Sequence, residues 1–271
     1  MSFTPELEAA LEAAGLAGRF IRAEYESFTP IPNAPASIST HVDRGSQELI
    51  LRYLKERFPG DGLCAEESTD SSRTAPAGNR TWVVDPIDGT RGFAMKNGEF
   101  SVMIGLTVDA RPVVGVVLEP VTMRWTFASL GGGCWTRTGD GPPTLCRVTA
   151  TADPVESTLV QSRPKSKDTP TGPVRVLRPA RVLETYSAGV KMAIVARGEA
   201  DLYVNTYPNF HDWDICAGHI LIEEAGGKVA GISGEPLTYG GPGYKQRSGM
   251  VASNGAIQER AVGLLRGIPL A

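Results

Sequence analysis

Two aspartates three residues apart, in Asp85-Pro86-Ile87-Asp88-Gly89-Thr90, follow the apolar run Thr81-Trp82-Val83-Val84. The run reads as a buried strand, so both carboxylates arrive together at its tip. On a turn started by Pro86 they can face the same point, and Gly89 removes the side chain that would block close approach. Thr90 adds a hydroxyl where Arg91-Gly92-Phe93 opens a helix, whose free N–H groups favour anions. Carboxylates beside an anion-attracting backbone conflict with one another unless a divalent cation lies between them and a phosphate.

Further acids stand beside apolar runs: Asp43 after Ser39-Thr40-His41-Val42, Glu66 after Leu63-Cys64-Ala65, and Asp214 in Asp212-Trp213-Asp214. If these converge, each bare pair about 5 Å apart costs roughly 3 kcal/mol at an effective dielectric near 20, so cations are required. Hard oxygen ligands favour Mg²⁺ over zinc, and Ile87 can still offer its carbonyl oxygen. His211 and His219 lack the four-residue spacing of paired zinc ligands on a helix. Other roles stay open for some of these residues: Asp43 also suits the N-cap of a helix, and Thr90 can cap the helix opening at Arg91. Gly131-Gly132-Gly133 lacks the Lys-Ser/Thr of a nucleotide loop and reads as a tight turn or bulge. Trp82 and Trp213 read as core aromatics behind the acids.

The elements that must position these groups follow from periodicity. A helix capped by Thr4 carries Leu7 and Leu11 to about Tyr25, before Pro30-Ile31-Pro32-Asn33. A second runs from about 45 to 57, with Leu49, Ile50, Tyr53 and Leu54 at helical spacing and Pro59-Gly60 beyond. Residues 63–65 form a short strand, and 68–79, rich in Ser, Thr, Pro and Gly, read as a mobile loop. Strands at 101–108, 113–118 and 124–128 make an antiparallel meander. Past Gly139-Asp140-Gly141-Pro142-Pro143 the pattern alternates. Strands are expected at 158–161, 174–177, 201–204, 228–230 and 250–252, with helices at 188–196, 215–225 and up to 265. The expectation is an α/β protein, with an α+β part over 1–145 carrying most of the acids and an α/β part over 146–271 carrying Asp214.

The chain has 271 residues, 41% hydrophobic and 21% charged, enough for one large or two moderate domains with a substantial core. A net charge of −3 gives no general attraction to nucleic-acid polymers or anionic membranes, which points to a small partner. Cys64, Cys134, Cys146 and Cys216 lie far apart with no CxxC pair and no secretory leader ahead of them. They read as reduced, cytoplasmic thiols rather than a disulfide framework or zinc site. No apolar stretch approaches the roughly 20 residues of a membrane span.

Three segments in order then carry a resemblance: Glu66-Glu67-Ser68; Asp85 to Thr90 behind Trp82; and Trp213-Asp214-Ile215-Cys216-Ala217-Gly218 running to Glu224-Ala225-Gly226-Gly227. With these the chain resembles the lithium-sensitive, magnesium-dependent phosphatases of the inositol monophosphatase superfamily. The resemblance implies a layered αβαβα sandwich of the inositol monophosphatase/fructose bisphosphatase type. It implies that Glu66, Asp85, Asp88, Asp214 and the Ile87 carbonyl hold two or three Mg²⁺ ions. Thr90, paired with Asp43, then activates the attacking water, Glu66 shares the base role, and Gly89, Thr90 and Asp214 meet substrate. Displacement at phosphorus is in line, without a covalent enzyme intermediate, and homodimeric association stays open.

Within the superfamily, Phe93 through Leu106 and Ser187-Ala188-Gly189-Val190-Lys191 resemble the 3'(2'),5'-bisphosphate nucleotidases. In those enzymes the lysine meets the second phosphate, and Ser162-Arg163, followed here by Pro164-Lys165, falls in another substrate-binding segment. The implied reaction removes the 3'-phosphate of adenosine 3',5'-bisphosphate. An inositol, sugar or histidinol phosphate is the alternative substrate, and a metal and phosphate sensor without turnover is the alternative of another class. Lys191 reads equally as an exposed lysine on a helix whose apolar face is Val190, Ile194 and Val195.

Overall fold

The computed structural model describes residues 3–69, 72, 78–164, 168–208 and 210–270. Most of the expected loop at 68–79, and Lys165, lie outside the described residues. Helices α1 (Thr4–Ser27) and α2 (His41–Arg57) cover one face of the first sheet. Alanines at 9, 10, 13, 14 and 17, with Ile21, form the buried stripe of α1 at helical spacing. α2 starts four residues earlier than periodicity suggests, because Thr40 rather than Asp43 is its N-cap. The Thr40 Oγ1 accepts from Val42 N at 3.1 Å, and Asp43, in the first turn, returns a bond to the Thr40 backbone.

The seven-stranded sheet keeps chain order: β1 (Gly62–Ala65), β2 (Arg80–Asp88), then, after α3 (Thr90–Ala94), β3 (Ser101–Val108), β4 (Arg111–Glu119), β5 (Arg124–Ser129), β6 (Gly133–Thr138) and β7 (Thr144–Leu145). β1 pairs with β2 in parallel, and the rest form the antiparallel meander. β3 and β4 are apolar on both faces because both faces are covered.

Along the second half come β8 (Thr158–Gln161), α4 (Gly172–Leu177), β9 (Arg181–Glu184), α5 (Ala188–Ala196), β10 (Leu202–Asn205), β11 (Phe210–His211), α6 (Asp212–Glu224), β12 (Lys228–Ala230), β13 (Lys245–Gln246), β14 (Met250–Ser253) and α7 (Gln258–Leu265). Five of these strands form a second sheet in the order β12-β14-β10-β8-β9. α5 and α6 lie between the two sheets, and α4 and α7 lie against each other, α7 also packing on β14. The layers are therefore αβαβα, with one apolar core outside each sheet and a third running across both sides of the central helices. The segment expected as a strand at 174–177 belongs to α4. Thr171 caps it through Val174 N and Pro173 opens its first turn, signals that outweigh a short valine-rich run. Among the described residues no helix is long and apolar enough to cross a membrane.

One seating matters for function. Gly105 and Gly115 face each other across β3 and β4, directly under α6. A Cβ at Gly105 would lie 2.6 Å from Cys216 Sγ, and one at Gly115 would lie 2.3 Å from the Ala217 carbonyl oxygen. The absence of side chains there lets α6 settle onto the sheet and bring its first turn to the tip of β2.

Candidate active site

β2 continues through Asp88 instead of ending at Asp85. Residues three apart on a regular strand face opposite sides. Between Asp85↔Met103 and Asp88↔Ser101 the register shifts, so β2 spends one more residue than β3. The bulge falls at Pro86, which has no N–H to give the ladder, and it returns Asp88 to the side of Asp85. Gly89 then turns the chain at φ 86°, where a Cβ would stand 2.8 Å from the Glu99 carbonyl oxygen and 3.2 Å from Ser187 Cα.

Asp85, Asp88 and Asp214 each place a carboxylate oxygen within 4.8 Å of the others. Asp214 comes from the first turn of α6, its Oδ2 accepting from His211 N at 2.5 Å. Glu66 follows β1, whose pairing of Ala65 with Val84 sets it beside Asp85, and its own N–H donates to the Val84 carbonyl at 3.3 Å. Burial pushes the Glu66 carboxyl up to about 8, helped by the neighbouring Asp214, while a hydrogen bond with Asp85 pulls the other way. Burial and then Asp88 push Asp214 to about 7, against the lowering effect of the His211 N–H. Asp85 is held well above the carboxylate range by burial, then by Glu66, Asp88 and Asp214. These are carboxyls gathered where protons or cations must neutralise them. The donor set is oxygen alone, which fits a hard divalent cation such as Mg²⁺.

Asp43 and Thr90 form a second unit at the edge of the cluster. Thr90 Oγ1 donates to Asp43 Oδ1 at 2.8 Å and lies 3.0 Å from the Ile87 carbonyl oxygen. The other Asp43 oxygen accepts from Thr40 N at 2.8 Å and Thr40 Oγ1 at 2.6 Å. Asp43 is fully buried, and burial raises its pKa against these hydrogen bonds. Glu67 anchors the loop instead. Its Oε1 accepts from Ser39, and its backbone pairs both ways with the Gln47 amide.

Asp88 is joined to α5. Its carboxylate accepts from the Ser187 hydroxyl, from Ala188 N at 3.1 Å and from Gly189 N at 2.7 Å, and Ser101 Oγ adds a bond at 3.3 Å. Ser187 also caps α5 through Val190 N. Lys191 is 1% exposed, not the exposed lysine its helix position permits. Its Nζ donates to the carbonyls of Thr185, Tyr186 and Ser187 at 3.2, 3.1 and 2.7 Å, so its three donors are spent holding the loop that holds Asp88. Burial lowers its pKa to about 8. Nothing in the spacing of residues 187–191 signals that carbonyls converge there.

Glu99 clasps the same loop from outside. It accepts from the Arg163 guanidinium and, at 3.3 Å, from Tyr186 N. Ser162 is exposed beside that ion pair, with no bond to the acidic cluster among the described residues. Trp82 is buried in the α1–α2 side of the core, its Nε1 donating to Asp61 at 3.0 Å. Trp213 is only half-buried and stacks on His211 at 4.3 Å. The sequence reading missed Thr40, Ser101, Glu99 and Tyr186 as supports. Of these only Thr40 left a signal, a capping-box spacing to Asp43.

The five-layer sandwich and its all-oxygen acidic cluster define a class, the metal-dependent phosphomonoesterases. The model of the inositol monophosphatase family matches residues 4–270, and the chain belongs to that family. It is 32% identical over 263 residues to a histidinol-phosphatase of Chlorobaculum parvum, covering 94% of each chain. It is 29% identical over 222 residues to the 3'(2'),5'-bisphosphate nucleotidase CysQ of Buchnera aphidicola, covering 82% of this chain and 78% of the other. The structure of an inositol monophosphatase from Anabaena superimposes with a TM-score of 0.78 at 26% identity, covering 99% of this chain and 97% of that one.

Proposed function

We propose that this phosphomonoesterase uses Mg²⁺ and removes the 3'-phosphate of adenosine 3',5'-bisphosphate. What supports the substrate reading is the resemblance of a segment that adjoins Asp88, although its Lys191 is committed to three carbonyls rather than to substrate. The segment Ser187 to Lys191, which resembles the bisphosphate nucleotidases, is bonded directly to a carboxylate of the acidic cluster. The relationship to a bisphosphate nucleotidase supports it.

Glu66, Asp85, Asp88, Asp214 and the Ile87 carbonyl would hold two or three ions. Held there, Mg²⁺ would supply Lewis-acid polarisation of phosphate oxygens and would make a nearby water easier to deprotonate. The chain's own part is proton handling. Asp43, pinned by Thr40, takes the Thr90 hydroxyl proton as its hydrogen-bond partner and so leaves a lone pair of Thr90 Oγ1 facing the water that attacks. The burial that raises the Asp43 pKa makes it a better acceptor for that proton. Gly89, at φ 86° and closely packed against Glu99 and Ser187, sets the turn that brings Thr90 beside the acids.

A second reading, histidinol phosphate as substrate, is favoured by the 32% identity to a histidinol-phosphatase over nearly the whole chain. Phosphate release with Mg²⁺ from the bisphosphate nucleotide, inositol 1-phosphate and histidinol phosphate separates them. The nucleotide is expected to give the highest kcat/KM, and preference for either of the others overturns the first reading. A protein as inactive as its Asp88→Asn and Thr90→Ala variants, yet still binding Mg²⁺, would instead be a sensor.

A further inference from the structure

Among the described residues, Lys191 is committed to three carbonyls and Arg163 to Glu99, so a bisphosphate bound at the cluster would draw on a further cation. Arg91 directly follows Thr90. Its guanidinium lies 5.2 Å from the centre of the Tyr186 ring, and Arg163 lies 5.7 Å from the same ring. Tyr186 immediately precedes Ser187, which bonds Asp88, so this stack stands next to the acidic cluster. The two arginines differ in one respect. Arg163 is paired with Glu99 and lies 3.9 Å from Glu184, whereas Arg91 has no carboxylate partner among the described residues, and its Nε is buried without a hydrogen bond.

We propose that Arg91 is a specificity-determining residue that takes the second anionic group of the substrate, with Tyr186 holding its guanidinium in place. A planar guanidinium supported on an aromatic face keeps its in-plane N–H groups free for a phosphate or carboxylate, and the stacking reduces the freedom lost on binding. The terminal Nη groups, which no carboxylate among the described residues engages, carry the donors that a ligand anion would meet. The assignment rests on the reading of the substrate as a bisphosphate, but not on its being a nucleotide.

The test compares kcat/KM for matched pairs, in the Mg²⁺-loaded protein and in Arg91→Ala and Arg91→Lys. The pairs are adenosine 3',5'-bisphosphate with adenosine 3'-monophosphate, and inositol 1,4-bisphosphate with inositol 1-phosphate. In Arg91→Ala the loss on the preferred bisphosphate is expected to exceed the loss on its monophosphate by about tenfold or more, mainly through KM, with Arg91→Lys retaining part of the preference. If the parent prefers the inositol bisphosphate and Arg91→Ala removes that preference, Arg91 keeps its role while the nucleotide reading falls. A parent that prefers no bisphosphate overturns the role of Arg91. So do equal losses on both members of a pair, or loss of all turnover in both variants.

Discussion

In the proposed mechanism Thr90 and Asp43 divide the labour differently from the acids they adjoin: they would move a proton, whereas Asp85, Asp88 and Asp214 concentrate charge. Thr90→Ala and Asp43→Asn are therefore expected to lower kcat by about 10²- to 10⁴-fold while Mg²⁺ still binds, as phosphate release and a Mg²⁺ titration on the same samples would show. The acids have their own signature. Without metal, burial and the neighbouring carboxylates push Glu66 up to about 8 and Asp214 to about 7, from ordinary values of 4.5 and 3.8. Between these limits the folded state binds more protons than the unfolded state, so metal-free stability falls as pH rises and the loss is complete above about pH 8. Mg²⁺ needs the ionised forms, so the rise in Tm that it produces should grow from about pH 6 to about pH 8.5. An equal rise at both pH values would contradict the shifts. At this scale the acids were legible because residue type and a few neighbours announce them. Lys191 was not, because a lysine on an apolar helix reveals nothing about the carbonyls that a separate loop brings to it.

At the scale of elements, α6 does the positioning. Asp214 stands at its start, and at its end Glu224 accepts from Gly131 N and Gly133 N, both at 2.8 Å, which fastens the helix to the β5–β6 turn. The glycines at 105 and 115 set how deep the helix lies. Gly115→Val is expected to cost about 1–3 kcal/mol or more through overpacking, and to weaken Mg²⁺ binding by displacing Asp214. Gly60→Ala, whose Cβ meets nothing within 4 Å, is the control, with urea unfolding and Mg²⁺ titration as the measurements. Lys191→Met should also lower stability and activity together, since it removes three hydrogen bonds to carbonyls of the loop that carries Ser187 and Gly189. Most elements were legible from periodicity, and the meander most clearly. The start of α2 depended on which of Thr40 and Asp43 caps it. The bulge at Pro86 is a consequence of pairing with β3, which no local pattern in β2 contains. α4 was mistaken for a strand because six residues are too few for the two periods to be told apart.

For the whole molecule, layer order is what makes one site from distant segments. The first sheet and α2 bring Asp43, Glu66, Asp85 and Asp88, and the helices between the sheets bring Asp214 and the Ser187 loop that binds Asp88. That convergence was anticipated because acids beside apolar runs only make sense together. Which cations near the cluster are already engaged was not, since that is settled by tertiary pairing such as Glu99 with Arg163. The most direct test is calorimetric titration of Mg²⁺ into metal-free wild type, Asp88→Asn and Asp214→Asn. Saturable binding by the wild type, with both substitutions weakening it strongly although they lie 126 residues apart in sequence, is the expected result. Mg²⁺ affinity unchanged in either variant, or no binding by the wild type, would show that these carboxylates do not form one cation site.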